Sequence, residues 1–260
     1  MMVKHIRVFG LEGLPLIEAG DDLADLIVAA AKNNGVELED RDILVVAQKV
    51  VSKAEGRVIR LESVKPSEKA LEISRKTRRP SRLVELVLRE SKRFLKASKE
   101  IIIVEDQRAI VNINAGIDKS NVQGTDSYAL LPVDPDESAR RLRRRLGELT
   151  GQNVGVIIAD TYSRAFRRGQ VNFAIGLAGI APFCDYRGTE DLFGYIMMVK
   201  FTAVVDEIAG AAELVMGQGR EAIPVAIVKG VDRATFTEDS ASKDLIISEE
   251  EDLFRNVWQR

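Results

Sequence analysis

The feature that most constrains this chain is the apolar run from Val154 to Ala159, which is rich in β-branched residues and follows Thr150-Gly151. A short run of this composition, bounded by a turn signal, predicts a fully buried strand. The runs from Ile43 to Ala47 and from Val225 to Lys229 predict two more buried strands. We expect the rest of the chain to be organised around the first run and the polar residues that follow it.

The order of the predicted elements favours an α+β fold with mixed sheets over a regular parallel βαβ array. Helices are predicted over 21–34, 66–79, 80–97, 139–149 and 206–216, with Asp136 or Ser138 capping the fourth, and a short helix is predicted from Ser248. Further strands are predicted over 4–9, 57–61, 100–104, 109–113 and 197–205. No repeat or linker-like segment interrupts the chain, so we expect a single domain over 1–260 with room for two subdomains within it.

Composition excludes several classes of function. The chain has 260 residues, is 45% hydrophobic and 30% charged, and carries a formal net charge of −2, which is typical of a soluble globular protein and gives no argument for binding nucleic acid. The only cysteine, Cys184, excludes an intramolecular disulfide, and the only histidine, His5, leaves little basis for a histidine-dependent triad. Catalysis is therefore expected from carboxylates, lysines, arginines and metal ions. No apolar run approaches ~20 residues and no signal-peptide pattern is present, so a cytoplasmic protein without membrane contact is expected.

The residues after the predicted strand at 154–159 have the chemistry of a metal or phosphate site. Asp160 and Thr161 offer a carboxylate and a hydroxyl side by side, and hard oxygen ligands of this kind suit Mg²⁺ or Mn²⁺. Arg167 and Arg168 add guanidinium groups that suit a phosphate or a carboxylate. The alternative is that Asp160 and Thr161 begin a helix or turn after the strand, with the two arginines on a solvated face.

Two loops carry further polar groups. Asp118 and Asn121 follow Gly116, which lets the backbone approach a ligand, although a plain Asx-rich turn is the alternative. In the loop 217–220, glycines on both sides of Gln218 free backbone N–H groups to face an anion. The chain contains neither GxxxxGK[ST] nor a GxGxxG before a helix. The basic run RRLRRR at 140–145 lacks interleaved aromatic residues, so we interpret it as a solvated or interface helix.

Six segments occur here in an order that resembles the coenzyme F420-0:L-glutamate ligase family (F420:γ-glutamyl ligase). They are GLEGLPLI, VVAQKVVSKAEGR, NAGIDKSN, IIADTYSRAFRRGQ, VVDEIAGAAELVMGQG and IPVAIVKG, and the resemblance extends to about Gly230. Each motif is weak alone, and the ordered combination is specific. The resemblance implies an α+β fold and an intertwined homodimer. Because the chain ends at Arg260, the flavin-binding reductase-like domain that some bacterial members carry is not expected.

The resemblance also implies an activity. Members of this family are GTP-dependent amide ligases that use Mg²⁺ or Mn²⁺ at two sites, often together with a monovalent cation such as K⁺. They add L-glutamate to the lactyl carboxylate of F420-0 and then add a second glutamate through a γ-linkage. The expected partners of this chain are therefore F420-0, L-glutamate and a second copy of itself, with no nucleic acid.

The site residues implied by the resemblance fall on matching positions of this sequence. The metal ligands fall on Asp118, Asp160, Thr161 and Gln218, the last of which is often glutamate in the family. The GTP contacts fall on Leu14, Pro15, Leu16, Ile17, Gln48, Lys49, Lys53, Asn121, Met216, Gly217, Gln218, Gly219, Arg220 and Ile223. Asp160 is expected to take part in catalysis, with Arg167 or Arg168 binding a carboxylate or phosphate of the substrate.

Phosphorylation of a carboxylate by GTP is the chemistry that such a residue set can support, because positioning and charge neutralisation supply most of the catalysis of phosphoryl transfer. One alternative is a metal-dependent, nucleotide-using ligase or phosphohydrolase that acts on another phosphorylated cofactor. A second is an RNA-binding module using the 140–145 run and the region 75–82, which would require strongly salt-dependent RNA affinity. The near-neutral charge and the aspartates expected at strand ends favour the enzyme.

Overall fold

The computed structural model describes residues 4–99, 101–164 and 167–252. The strands are β1 (Arg7–Gly10), β2 (Ile43–Ala47), β3 (Val58–Arg60), β4 (Ser91–Ser98), β5 (Ile101–Asp106), β6 (Val111–Ile113), β7 (Ser127–Ala129), β8 (Gly155–Ser163), β9 (Gln170–Ala178), β10 (Cys184–Asp185), β11 (Phe201–Thr202) and β12 (Val225–Lys229). The helices are α1 (Leu23–Asn33), α2 (Gln48–Ala54), α3 (Glu68–Thr77), α4 (Ser81–Arg89), α5 (Pro135–Thr150) and α6 (Val204–Met216), and short 3₁₀ turns cover Leu61–Ser63, Asn114–Gly116 and Ser242–Leu245.

A five-stranded sheet with the order β1-β12-β2-β8-β9 forms the centre of the fold. The β2–β8 pair is parallel, with Ile43 opposite Gly155, and the other neighbours are antiparallel. This arrangement confirms the predicted α+β fold with mixed sheets. The three predicted buried runs form β12, β2 and the first half of β8, which lie side by side in the interior of the sheet.

Both faces of this sheet are covered. Leu44, Val46, Val156 and Ile158 point into a core formed with α1 and α5, while alternate residues such as Ile157 point into a core formed with α6. The helix α1 forms as the sequence predicts, because its buried residues recur at helical spacing and the Asp22 carboxylate accepts hydrogen bonds from the first free N–H groups. In the described part of the chain, no helix has the length and apolar content to cross a membrane.

Residues 58–129 build a smaller set of elements beside the central sheet. Here β3 pairs with β7, β4-β5-β6 form a three-stranded antiparallel sheet, and α3 and α4 pack against it. Ile73, Val84 and Val87 meet Ile102 and Val104 in their own cluster. Asp118 lies in the loop between β6 and β7. The backbone of Asp118 exchanges two hydrogen bonds with that of Ala129, at N–O distances of 3.1 and 2.8 Å, and these bonds fix the start of the loop.

On the outer edge of β9, side-chain carboxylates, and not another strand, accept hydrogen bonds from the free backbone N–H groups. Glu213 accepts from the Asn172 N–H at 3.0 Å, Asp206 from the Ala174 N–H at 2.9 Å and Asp136 from the Leu177 N–H at 2.7 Å. Unpaired N–H groups on an exposed edge invite pairing with another chain, and these contacts satisfy them. Burial raises the pKa of Asp206, and the N–H of Ala174 partly offsets that rise.

The predicted helix over 80–97 is wrong in its second half. The helix α4 ends at Arg89, and the residues from Ser91 onward form β4, which pairs antiparallel with β5. The last residue that α4 buries at helical spacing is Val87. Beyond it, Phe94 and Ala97 pack against the apolar cluster around Ile102. Pairing with β5 therefore overrides the helix propensity of the segment SKRFLKAS, which forms β4.

Three other element predictions need correction. The strand over 197–205 is reduced to β11, because α6 already begins at Val204. The helix over 139–149 begins earlier, since Asp134 caps α5 and Pro135 occupies its first turn, while Asp136 bonds to Leu177. In place of the helix predicted from Ser248, the chain forms a turn at 249–251. The rest of that predicted helix, at 253–260, lies outside the described residues. Glu100, the first residue of the strand predicted over 100–104, also lies outside them.

The arginines of α5 are mostly engaged in ion pairs, in agreement with a solvated helix. Their partners are Glu137 for Arg140, Glu55 for Arg141, Glu238 for Arg143, and Asp22, Asp25 and Glu148 for Arg145. A nucleic-acid surface built on this helix would have to break these pairs before it could contact phosphates.

A buried ion pair holds β12 against the loop before β2 and provides a test of the packing. Lys229 Nζ lies 2.6 Å from the buried Asp42 and 2.8 Å from the exposed Glu39. Asp42→Ala leaves the buried Lys229 ammonium with only the exposed Glu39 as a partner, so we expect it to lower the free energy of unfolding by about 2 kcal/mol in urea titrations at neutral pH. Glu62→Ala, which breaks the exposed 3.8 Å pair with Arg60, should change it by less than about 0.5 kcal/mol. Equal effects would contradict the burial argument.

Candidate active site

Asp160 and Thr161 lie inside β8, not after it. The antiparallel partner β9 extends β8 to Ser163, pairing Asp160 with Phe173 and Thr161 with Asn172 beyond a bulge at Ile158/Ala159. The alternative that these two residues begin a helix or turn is therefore wrong. Successive side chains of a strand point to opposite faces, so Asp160 and Thr161 serve two separate sets of neighbours.

Asp160 faces the region of residues 101–121. Burial is the main cause that raises its pKa to about 6; the charge of Asp118 adds to the rise, while the Thr161 N–H, Arg108 and Lys49 oppose it. The cations already present therefore do not fully compensate the Asp160 charge. Tyr162, two residues on, shares this face of β8, and burial together with the Asp160 charge raises the pKa of Tyr162 to about 12.

Asp118 is held by a set of short hydrogen bonds. Its Oδ2 accepts from Lys49 Nζ at 2.6 Å and from Ser120 Oγ at 2.7 Å, and its Oδ1 accepts from the Ser120 N–H at 2.8 Å. Burial alone would raise the pKa of Asp118, but these bonds outweigh it and keep the pKa below its usual range. Asp118 is therefore ionised, and it contributes to the negative potential at Asp160.

The backbone before Asp118 is strained. Asn114, Ala115 and Gly116 have φ values of 53°, 54° and 68°, which places three successive residues in the left-handed region. Only glycine adopts this conformation without cost. Strain of this kind persists where the surrounding structure enforces it, and it clusters at functional sites. Here it turns the chain out of β6 and directs Asp118 toward β8.

Thr161 faces α6 and the loop after it. Its hydroxyl donates to Asn172 Oδ1 at 2.9 Å, and Gln218 Nε2 approaches the same oxygen at 3.5 Å. Gln218 Nε2 also donates to Glu213 Oε1 at 2.8 Å. The structure thus brings Thr161 and Gln218 together and adds Asn172 and Glu213, which the sequence analysis missed. The one available signal was the seven-residue spacing of Asp206 and Glu213, which places both on one face of a helix.

A row of hydrogen bonds joins three residues of the predicted nucleotide set. Lys53 Nζ donates to the Asn121 carbonyl at 2.7 Å, and Asn121 Nδ2 donates to the Gly219 carbonyl at 3.1 Å. Burial and the nearby charge of Lys49 lower the pKa of Lys53. Two ammonium groups that repel each other in this way favour binding of an anion between or beside them.

Other predicted residues lie outside this group or in the core. Gln48 is only 3% exposed, and its Oε1 accepts from Ser52. Ile17 and Met216 are buried in the two central cores, against which Leu14 and Ile223 also pack. Pro15, Leu16 and Arg220 are exposed, while Gly217 adopts a φ of 67° and the Gly219 N–H donates to Glu221. Arg167 and Arg168 are exposed beside residues 165–166, which lie outside the described part of the chain.

Comparison with known proteins identifies the family. The model of the F420-0:gamma-glutamyl ligase family matches residues 13–230. The chain belongs to the F420-0:gamma-glutamyl ligase family. It is 44% identical to the coenzyme F420:L-glutamate ligase of Methanothermobacter thermautotrophicus over 96% of this chain and 99% of that protein. It is 46% identical to the protein of the same name in Archaeoglobus fulgidus, over 98% and 99% of the two chains, and 39% identical to that of Methanocaldococcus jannaschii, over 97% and 98%.

Family membership confirms the resemblance inferred from the six ordered segments and makes the chain an enzyme of the ligase class. The residues of this ligase offer oxygen ligands at two positions, one at Asp118 and Asp160 and one at Thr161 and Gln218. Within residues 4–99, 101–164 and 167–252, no group of three Asp, Glu, His or Cys side chains converges on a point. Such sparse oxygen sets fit Mg²⁺ or Mn²⁺, which commonly take only one or two carboxylates and complete their shell with substrate phosphates and water.

The left-handed turn before Asp118 can be tested with matched glycines. A Cβ on Gly116 would stand 2.5 Å from Leu131 Cδ1, whereas one on Gly35 meets nothing within 4 Å, and the φ values are 68° and 67°. Gly35→Ala should therefore cost about 1 kcal/mol from backbone strain alone. Gly116→Ala should cost at least about 2 kcal/mol, because the overlap with Leu131 adds to the strain. Equal losses in chemical denaturation would rule out the proposed close packing.

Proposed function

We propose that this ligase adds L-glutamate to coenzyme F420-0 in a GTP-dependent reaction, first once and then again through a γ-linkage, with release of GDP and phosphate. The chief support is the row Lys53–Asn121–Gly219, which lies beside Lys49 and Asp118 and offers cations and backbone groups next to paired carboxylates. A nucleotide with a divalent metal needs this combination of charges. The relatives named coenzyme F420:L-glutamate ligase support the choice of substrates.

Lys49 and Lys53 would bind the phosphate end of GTP. A phosphate between them would offset the burial and the repulsion by Lys49 that together lower the pKa of Lys53. The guanine and ribose would lie along the loops 14–17 and 216–223, which carry the remaining residues assigned to GTP. Gln48 would act through Ser52 and α2 instead of touching the nucleotide, because its side chain is buried.

Asp118 and Asp160 would hold one divalent ion, and Thr161 and Gln218 a second. The glutamate carboxylate of Glu213, 2.8 Å from Gln218, would supply the negative charge that a neutral amide lacks. When bound, Mg²⁺ or Mn²⁺ neutralises the phosphate charge that develops during transfer. A cation beside Asp160 would also lower its raised pKa and keep it ionised.

The reaction proceeds in two displacements. The F420-0 carboxylate attacks the γ-phosphorus of GTP, the bond to the bridging oxygen breaks, and GDP leaves with an acyl phosphate formed. The amine of L-glutamate then attacks the acyl carbon, the bond to phosphate breaks, and the amine loses one proton to give the amide. Lys49, Lys53 and the exposed Arg167 or Arg168 would orient the charged groups, since positioning provides most of the catalysis.

We also propose that the ligase acts as a homodimer in the cytoplasm. The support for the dimer is the segment 192–201, in which several large apolar side chains are exposed. Leu192 is 97% exposed, Phe193 93% and Val199 83%. A contiguous apolar patch of this kind on a soluble protein marks an interaction surface, and a second copy of the chain would cover it.

The reaction can be tested by mass spectrometry of F420-0 incubated with the protein, GTP, L-glutamate and Mn²⁺. We expect one or two added glutamyl masses that depend on GTP, and a loss of rate of at least about 100-fold in Asp160→Asn, because a metal ligand is removed. Asp25→Asn, an exposed aspartate on α1, is the control and should keep its activity. If GTP were hydrolysed without addition of glutamate, the proposed nucleotide site would stand, but the assignment of F420-0 and L-glutamate as substrates would be refuted.

Dimerisation can be tested by light scattering after gel filtration. The wild-type protein is expected at twice the mass of the chain, and Phe193→Asp should shift it to the monomer, because a charge would be buried in the apolar interface. Asp239→Lys, also a charge change on an exposed residue, should leave the mass unchanged. A monomeric wild-type protein would overturn the proposal.

A further inference from the structure

The carboxylate of Asp118, which is assigned to a divalent ion, already has an ammonium group bound to it. Lys49 Nζ lies 2.6 Å from Asp118 Oδ2, and the Ser120 hydroxyl donates to the same oxygen at 2.7 Å. The other oxygen, Oδ1, accepts from the Ser120 N–H at 2.8 Å. An ionised carboxylate has about four acceptor positions, so most of those on Asp118 are taken, and one of them is taken by a positive charge.

The charge of Lys49 acts on both carboxylates of this proposed ion position. The Lys49 side chain is only 17% exposed, so solvent screens its ammonium weakly. Burial raises the pKa of Asp118, and the hydrogen bond from Lys49 is the largest of the effects that reverse this rise. Burial also raises the pKa of Asp160, and the charge of Lys49 opposes that rise in part. Lys49 therefore supplies positive charge where a divalent ion would supply it.

Lys53, one helical turn further along α2, has a different kind of partner. Residues four apart lie on the same face of a helix, so both lysines reach the loop 118–121. Lys53 Nζ donates to the neutral carbonyl of Asn121 at 2.7 Å, whereas Lys49 pairs with the carboxylate of Asp118 and also donates to Ser120 Oγ at 2.7 Å. The two lysines thus share a charge and a helix face and differ in what they bind.

The ammonium of Lys49 opposes the binding of another cation at Asp118. Two positive charges on one partly buried carboxylate repel each other, because little water lies between them to weaken the interaction. Lysine has a flexible four-carbon stem, so its ammonium can leave the carboxylate without a change in the backbone of α2. A nucleotide phosphate beside α2 would offer that ammonium a new anionic partner and would leave Asp118 free to bind a metal ion.

We propose that Lys49 holds the place of the divalent ion at Asp118 and gives it up when a nucleotide phosphate takes over its ammonium. Lys49 then makes metal binding at Asp118 depend on the nucleotide, and by linkage it makes nucleotide binding depend on the metal to the same degree. This inference rests on the proposed function and names the residue that couples the two ligands. The ligase would hold little metal at Asp118 without GTP and would take up metal and nucleotide together.

Electron paramagnetic resonance of free Mn²⁺ measures its binding to the full chain without nucleotide and tests the inference. Lys49→Met removes the ammonium and should raise the affinity for Mn²⁺ about 10-fold or more, a typical size for coupling between two ligands. Lys49→Gln, a second uncharged variant, should raise it as well, whereas Lys49→Arg keeps the ion pair and should bind Mn²⁺ as weakly as the wild-type protein. Lys53→Met is the matched control and should change the affinity by less than about threefold, because its ammonium does not bind the carboxylate.

Two further titrations locate the effect. Asp118→Asn added to Lys49→Met should abolish the gain in Mn²⁺ affinity, because the gain depends on that carboxylate. A non-hydrolysable GTP analogue should strengthen Mn²⁺ binding more in the wild-type protein than in Lys49→Met.

The outcomes separate this inference from the proposed function. Unchanged Mn²⁺ affinity in Lys49→Met and Lys49→Gln, an equal gain in Lys53→Met, or a gain that survives Asp118→Asn would overturn the role of Lys49 while the proposed function stands. Wild-type protein that binds no Mn²⁺ even with the GTP analogue would overturn the proposed metal site, and this inference would fall with it.

Discussion

The alternation of side chains along β8 determines where every group of the site lies. Over its first half the strand is apolar on both faces, and α1, α5 and α6 bury it. Beyond the bulge the same alternation sends Asp160 and Tyr162 toward the region that carries Asp118, and Thr161 toward α6 and Gln218. A slip of one residue in the pairing with β9 would exchange these two sets of neighbours. The carboxylates that close β9 therefore protect the site as well as the sheet edge.

Charges of both signs are left incompletely compensated around this strand. Asp160 is buried among too few cations, and its pKa rises, while Lys53 is buried near Lys49, and its pKa falls. In an ordinary surface network such groups would pair and settle close to their usual values. A nucleotide phosphate together with a divalent ion would compensate both at once, and this is the electrostatic support for the proposed nucleotide and metal site.

Local sequence patterns predicted much of the framework. The bounds of β2 and β12 agree with the apolar runs, and α1 follows its cap and its helical spacing. What failed depended on pairing between segments, which no single segment shows by itself. The residues of β4 look helical until β5 pairs with them, and Asp160 is placed inside a strand only because β9 continues to Gln170. Glu213 and Asn172 escaped notice for the same reason, since the contact between them joins α6 to β9 across 41 positions of the sequence.

Metal stoichiometry tests most directly whether β8 separates two ion positions. Electron paramagnetic resonance of Mn²⁺ titrated into the protein with a non-hydrolysable GTP analogue should report two bound ions per chain. Thr161→Val should remove the ion beside Gln218 and retain the other, and Asp118→Asn should do the reverse. Loss of both ions in either variant, or one ion in the wild-type protein, would show a single shared position and contradict the assignment of Asp160 and Thr161 to opposite faces.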